Sequence, residues 1–360
     1  TIAAWWERLG LAGWAAPTLP TNAYGRGLSR ADGNRIGQAI AAHGAVGAPA
    51  GLGLLLAAPT IATHGSQEQI DHYVKDIVTG QKAWCQLFSE PGAGSDLAGL
   101  TTRAEQDGDE WIVNGQKVWT SLGQTADMGM LIARTNPDAP KHQGITWFAC
   151  DMHQPGVEIR PLVELTGHAM FNEVFLSDAR VPDGAVIGDV NNGWAAANTT
   201  LAHERAGLGS GGGGGGAGLT PGTIAGMLER RAGDPAPDPS WAATAGRGAR
   251  QRAGSTMMRD LATSLGKHTD PTVRQDLVRL HILNRIGQMN TDRVKAAKAQ
   301  GRDIPGMANV AKLSMSDIVR LTRDLGLRLL GPAGTLHGLS LIHISEPTRP
   351  PLLSRMPSSA

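Results

Sequence analysis

Across residues 1–83 the apolar positions recur with helical spacing. Ser66 and Gln69 make a capping box, after which Ile70, Tyr73, Val74, Ile77 and Val78 repeat on one face until Gly80, so a helix packed on a neighbour is predicted there. From Gln86 to about Ile187 the pattern shortens to extended runs. Trp111-Ile112-Val113 and Val118-Trp119 flank Asn114-Gly115, a dipeptide favoured in tight hairpins, which predicts two strands turning at 114–115. Met130-Leu131-Ile132-Ala133, Ile145-Thr146-Trp147-Phe148-Ala149 and Glu173-Val174-Phe175-Leu176 continue the strand pattern, and Val181-Pro182 marks its exit. Beyond Gly188 the helical period returns: Asp270-Pro271 forms an N-terminal cap pair ahead of Val273, Leu277 and Leu280, and a later helix carries Ala308, Ala311, Met315, Ile318 and Leu325 on one stripe. Helices, strands, helices is the order of an α+β fold with an N-terminal helical domain (1–83), a central β domain (84–187) and a C-terminal helical domain (188–338). The segregation of helices from strands disfavours a Rossmann-type sheet.

Two stretches depart from ordinary globular sequence. Gly211–Gly216 is a run of glycines that reads as a flexible linker on composition. The tail from 339 to 360, which begins Leu339-Ser340-Leu341-Ile342-His343-Ile344-Ser345-Glu346-Pro347-Thr348-Arg349, resembles a translated sequencing adaptor and is expected to be non-native. The opening Thr1-Ile2-Ala3-Ala4-Trp5-Trp6-Glu7-Arg8 reads as the interior of a helix, so the chain is expected to be truncated at both ends.

At 360 residues the chain suits two or three packed units. A formal net charge of +1 supplies no overall field for nucleic acid or an anionic membrane, so neither is an expected partner. Cys85 and Cys150 are too few for a disulfide framework and fit a reducing cytoplasm. The histidines form no ligand-like cluster, so no metal is expected. The charge-free region 36–67 is broken by glycine and proline, so no membrane helix is expected.

Candidate chemistry concentrates in two segments. Ser89-Glu90-Pro91-Gly92-Ala93-Gly94-Ser95-Asp96 combines small residues, which let backbone N–H groups converge on an anion, with two hydroxyls; alone it is equally an ordinary Pro-Gly turn. Asn114-Gly115-Gln116-Lys117-Val118-Trp119-Thr120-Ser121 delivers an indole plane and two hydroxyls at the end of a strand, which suits a flat ring with a polar edge; the competing reading of Trp119 is a packed core residue.

These motifs, about 25 residues apart with Gly108-Asp109-Glu110-Trp111 between them, resemble the flavin-binding core of acyl-CoA dehydrogenases. The similarity extends from Trp5 to Gly338 and includes Trp84-Cys85-Gln86, Glu173-Val174-Phe175-Leu176-Ser177-Asp178 and Val181-Pro182. It implies a central β-barrel domain, a C-terminal helical bundle and FAD as cofactor. It also implies that Gln86, Leu87, Phe88 and Ser89 lie along the flavin pyrimidine, that Trp119 covers the dimethylbenzene end, and that Thr120 and Ser121 lie near the ring, Ser121 bonding near N5. Ser95 would stand between the FAD phosphate and the pantetheine arm of acyl-CoA. The implied activity is oxidoreductase chemistry of fatty acid and lipid metabolism: α,β-dehydrogenation of an acyl-CoA thioester, with electrons passed to an electron-transfer flavoprotein by a homo- or hetero-oligomer.

Proton abstraction α to a thioester needs a carboxylate. One branch of the family carries it on the first helix after the β domain, directly before an arginine; Leu201-Ala202-His203-Glu204-Arg205-Ala206-Gly207 stands there, so the resemblance implies Glu204 as base and Arg205 as a CoA contact. From residue types alone, Glu204-Arg205 is a solvated ion pair. The glycines that follow would leave room for a bulky acyl group or confer mobility. Arg259 and Arg328 stand where the family has other cofactor-contact patterns, a departure that bears on FAD contacts across subunits. Two rivals remain: an acyl-CoA oxidase or flavin monooxygenase of the same fold, and a non-catalytic FAD-binding subunit associated with nucleic acid.

Overall fold

A computed structural model describes residues 1–164, 169–209, 221–223, 228–234 and 254–335. The fold is α+β, with helices, a central curled sheet and further helices in chain order. The chain divides into two compact units, Thr1–Gly248 and Ala249–Ala360.

The first unit opens on α1 (Ile2–Leu11), whose free N–H groups all find acceptors: Ile2 N–H on Arg230 O (2.7 Å), Ala3 N–H on Leu228 O (3.1 Å) and Ala4 N–H on Thr1 Oγ1 (3.3 Å). Trp6 is fully buried and lies on Gly80, where φ is +72° and a side chain would strike the indole. After α2 (Arg30–Ala42) come a π-helical turn at Gly53–Ala57 and α3 (Ala58–His64). The capping box closes on both arms at α4 (Gln67–Gln69), with Gln69 N–H on Ser66 Oγ (3.2 Å) and Ser66 N–H on Gln69 Oε1 (2.9 Å). Ile70, Val74, Ile77 and Val78 are buried through a second π-helical turn (Ile70–Val74) and α5 (Lys75–Val78), and Tyr73 meets Trp84 edge-on.

The seven-stranded sheet comprises β1 (Trp84–Leu87), β2 (Arg103–Asp107), β3 (Glu110–Ser121), β4 (Met128–Arg134), β5 (Ile145–Asp151), β6 (Val157–Leu162) and β7 (Phe171–Pro182). Its order is β1-β4-β2-β3-β7-β6, with β5 paired to β4. β1 and β4 run parallel; β2/β3, β3/β7, β4/β5 and β6/β7 are antiparallel. Five central residues of β4 and the first six of β5 are buried, so both faces of this pair are covered.

The turn expected at Asn114-Gly115 is not there. The hairpin reverses at Gly108-Asp109, and β3 passes straight through 114–115 with a register shift against β7. Gly115 serves close approach: a side chain there would run into Thr102. Asn114 bonds across the shift, donating from Nδ2 to Asp178 Oδ1 (3.0 Å) and accepting Asp178 N–H on Oδ1 (2.9 Å). The dipeptide therefore marks a bulge, which also supports a residue with φ of +54° at Asp178.

Past β7, α6 (Gly193–Gly209) starts hard against β5, because Gly193 has no side chain to meet the backbone of Thr146 and Trp147. The glycine run Gly211–Gly216 lies outside the described residues. The second unit holds α7 (Gly254–Ser264), α8 (Pro271–Ala299) and α9 (Met307–Leu330). Asp270 caps α8 by accepting from Thr272 N–H (2.7 Å) and Val273 N–H (3.2 Å). Met258, Ala262, Val273, Leu280, Leu325 and Leu329 form its core, with Leu277 and Ile318 packed against them. The tail at 339–360 lies outside the described residues.

Gln69 also joins the helices to the sheet exit, donating from Nε2 to Gly184 O (2.9 Å) and Val186 O (2.7 Å). Ser66→Ala is expected to lower stability by about 1 kcal/mol through the lost cap, and Gln69→Ala by more, because two further bonds go with it. Urea titration of both variants checks the ranking; a Gln69→Ala cost no greater than that of Ser66→Ala would refute it.

Candidate active site

The expected site residues on β1, the following loop, β3 and α6 all belong to the first unit. Gln86 is half-buried on β1, and its Nε2 donates to Glu204 Oε2 on α6 (3.4 Å). Three residues later, Ser89 O accepts the N–H of Val118 on β3 (2.9 Å). One extended stretch from 86 to 89, roughly 10 Å at strand rise, thus touches the carboxylate at one end and the indole-bearing strand at the other.

Glu204 is half-buried and Arg205 is exposed. The helix that carries them is held by hydroxyls: buried Thr200 Oγ1 lies 2.9 Å from Thr60 Oγ1, and half-buried Thr199 Oγ1 lies 2.8 Å from His64 Nε2. Glu204 stands one helical turn beyond Thr200, so these α3 contacts set its height along the helix.

Trp119 is 62% exposed and rests edge-on against Phe171, at 5.9 Å and 84°. The packed-core reading is excluded by that exposure. The register of β3 against β7 breaks between Lys117 and Thr120, and Trp119 takes a φ of +63°, which swings the indole outward while Thr120 turns in. Thr120 O accepts from Asn172 Nδ2 (2.9 Å), whereas Thr120 Oγ1 and Asn172 Oδ1 are buried without partners. Ser121 is half-buried at the strand end.

Leu87 and Phe88 point into the core, so any outward contact at these positions comes from their backbone. Ser95 is exposed beside Asp96, which pairs with Lys141, and Gly92 and Gly94 have open space where a side chain would stand. In the second unit, Arg259 pairs with Asp260 (3.4 Å) and Arg328 with Asp276. Both cysteines are free and buried, and burial pushes the Cys150 thiol up to about 12.

Sequence reasoning did not assign Glu90 or Lys117 a role. Lys117 Nζ is fully buried and donates to Glu90 Oε1 (2.8 Å) and Phe88 O (3.2 Å); Glu90 also accepts from Thr102 N–H (2.9 Å), Thr101 N–H (2.7 Å) and Thr101 Oγ1 (2.8 Å). The signal was present: Lys117 shares the inward parity of Trp111 and Val113, and a charge there needs a buried partner. Burial alone would raise the Glu90 carboxyl, but Lys117 and the threonine donors outweigh it and hold it at about 2. Burial likewise draws the Lys117 ammonium down to about 8 against the pull of Glu90.

The fold is thus of the α+β class, with helices before and after a curled sheet and an exposed indole and a helix carboxylate joined through one loop. Comparison with known proteins identifies the family. The acyl-CoA dehydrogenase N-terminal domain model matches residues 2–81 and the middle domain model matches 85–179. The acyl-CoA dehydrogenase FadE26 of Mycobacterium tuberculosis is 31% identical over 338 residues, spanning 91% of this chain and 75% of that protein. FadE34 of the same organism is 52% identical over 195 residues, 54% of this chain and 26% of its own length. A solved structure described as the Tcur3481-Tcur3483 steroid ACAD superposes with a TM-score of 0.72 at 26% identity, covering 96% of this chain and 82% of that one. The chain belongs to the acyl-CoA dehydrogenase family. It spans 26% to 54% of the length of three such relatives, FadE34 among them. Among the described residues no helix is long and apolar enough to cross a membrane.

Because the Glu90 carboxyl is held below its ordinary 4.5, its contribution to stability is complete above that pH and is lost as pH falls toward about 2. The wild-type melting temperature is expected to drop across that window and that of Glu90→Gln to drop less steeply. Parallel slopes in melting curves over a pH series would refute the assignment.

Proposed function

We propose that the chain derives from an FAD-dependent dehydrogenase that oxidises an acyl-CoA thioester between its α and β carbons, with Glu204 as the base. The observation that carries this reading is the continuous path from Glu204 through Gln86 to Ser89, Val118 and Trp119. The residues fit a flavin nucleotide: a solvent-facing indole for a flat ring, and glycines at 92 and 94 that leave the backbone open to phosphate. Gln86, Leu87, Phe88, Ser89, Ser95, Trp119, Thr120 and Ser121 would hold FAD, the two core residues through their backbone. When bound, FAD supplies the acceptor for the hydride that leaves the β carbon.

The protein's own residues supply binding and proton transfer. Glu204 takes the α proton on a carboxylate oxygen, and the Gln86 amide orients that carboxylate. Arg205, exposed on the next position of the same helix, would meet a CoA phosphate. Ser95 lies on the loop where cofactor and pantetheine would meet. Likeness to a steroid acyl-CoA dehydrogenase supports a bulky acyl group. Electrons would pass to an electron-transfer flavoprotein. An oligomer is favoured by the apolar residues exposed on α8, Val278, Ile282, Ile286 and Met289, which recur at helical spacing.

Glu204→Gln in the full chain is expected to slow flavin bleaching by acyl-CoA by about 10²–10⁴-fold with FAD binding unchanged, as read by anaerobic stopped-flow absorbance. Bleaching at the wild-type rate would remove Glu204 from the role. Trp119→Ala is expected to weaken FAD binding by roughly tenfold in a fluorescence titration; unaltered affinity would show that the indole does not face the ring.

A further inference from the structure

We propose that the buried Lys117–Glu90 pair is the positioning device of the cofactor site, clamping the loop after β1 onto the bulge of β3 so that Ser89 and Trp119 keep a fixed mutual geometry. The inference rests on the FAD reading above and deepens it. Lys117 and Glu90 side chains are 0% and 4% exposed, so both ions have been taken out of water. Such a pair is a weak source of stability compared with apolar residues of the same volume, because desolvation offsets its attraction. What it does supply is direction.

The bonds fall on three consecutive loop residues. Lys117 Nζ reaches Phe88 O (3.2 Å) and Glu90 Oε1 (2.8 Å), on either side of Ser89, while Val118 N–H takes Ser89 O itself (2.9 Å). Glu90 is then fastened to the chain beyond the loop through Thr101 and Thr102. These anchors sit where β3 loses its register with β7, between Lys117 and Thr120. The β2 pairing of β3 ends at Asn114, and beyond it Val118 donates to the loop; the next residue, Trp119, holds a left-handed φ of +63° that a bulky side chain adopts only when its surroundings impose it. The clamp thus fixes the one-residue offset that turns the indole outward.

A merely structural tie and a positioning device respond differently when both charges are removed. Lys117→Met and Glu90→Gln each leave a lone buried ion, and both are expected to melt well below wild type. The double variant Lys117→Met/Glu90→Gln removes both charges yet keeps an acceptor for the threonine N–H groups, so its melting temperature is expected to rise above that of either single variant. Its FAD affinity is expected to stay weaker than wild type by roughly tenfold, with an altered bound-flavin circular dichroism spectrum. A second readout needs no cofactor. The Trp119 contribution to near-ultraviolet circular dichroism, taken as wild type minus Trp119→Phe, is expected to differ when the same subtraction is made in the double-variant background. A double variant with an unchanged Trp119 contribution overturns the clamp whether or not FAD binds, and so does one with wild-type FAD affinity and spectrum. Failure of the wild-type chain to take up FAD would defeat the cofactor reading alone, leaving the Trp119 comparison to decide the clamp.

Discussion

The attachment of the loop 88–90 to strand β3 organises the sheet-edge site. β3 is the strand that binds β2 on one side and β7 on the other, yet at Val118 and Trp119 it gives up pairing with β7. Past Asn114, where its pairing with β2 ends, β3 must satisfy its N–H groups elsewhere, and Ser89 O accepts that of Val118. Once Ser89 is held there, the direction of β1 brings Gln86 to α6, and the carboxylate of Glu204 falls at the far end of the same short segment. The indole-bearing strand and the helix that carries Glu204 are therefore joined through one short segment.

The second constraint is the seating of α6. Its first residue, Gly193, lies against the backbone of β5, and Thr199 and Thr200 bond to His64 and Thr60 on α3. The Thr60–Thr200 and His64–Thr199 contacts are lost if the helix slides or rotates, so they favour one register. The carboxylate of Glu204, one turn further on, is positioned by the same contacts. The π-helical turns at 53–57 and 70–74 belong to the same helical layer, where extra residues per turn redirect side chains without ending the helix.

The segments that resemble the acyl-CoA dehydrogenase family carry hydroxyls at Ser89 and Ser121, an indole at Trp119 and, on the first helix after the sheet, the carboxylate of Glu204. The arginines that stand in place of other family patterns are engaged locally, Arg259 with Asp260 and Arg328 with Asp276. Neither arginine is left as a bare cation, so each would have to exchange its carboxylate for a phosphate if it served an anion.

Much was legible in the amino-acid order alone, because local rules carry it. The capping box at Ser66 and Gln69, the cap of α8 at Asp270 and the apolar faces through Val74, Ile77 and Val78 or Val273 and Leu280 depend on neighbours one turn away, and all are found where periodicity placed them. The order of helices and strands followed from the same periods, and the family from two spaced motifs. Three features needed the tertiary structure. Asn114-Gly115 lies within a strand and not at a turn, because Thr102 presses on Gly115 and Asp178 engages Asn114, contacts between residues far apart in the chain. Lys117 finds its buried partner in Glu90, 27 positions away, where inward parity demanded a counter-charge without saying which. Trp119 faces solvent because a bulge shifts the strand by one residue, and a period of two turns every later side chain to the other face when that happens.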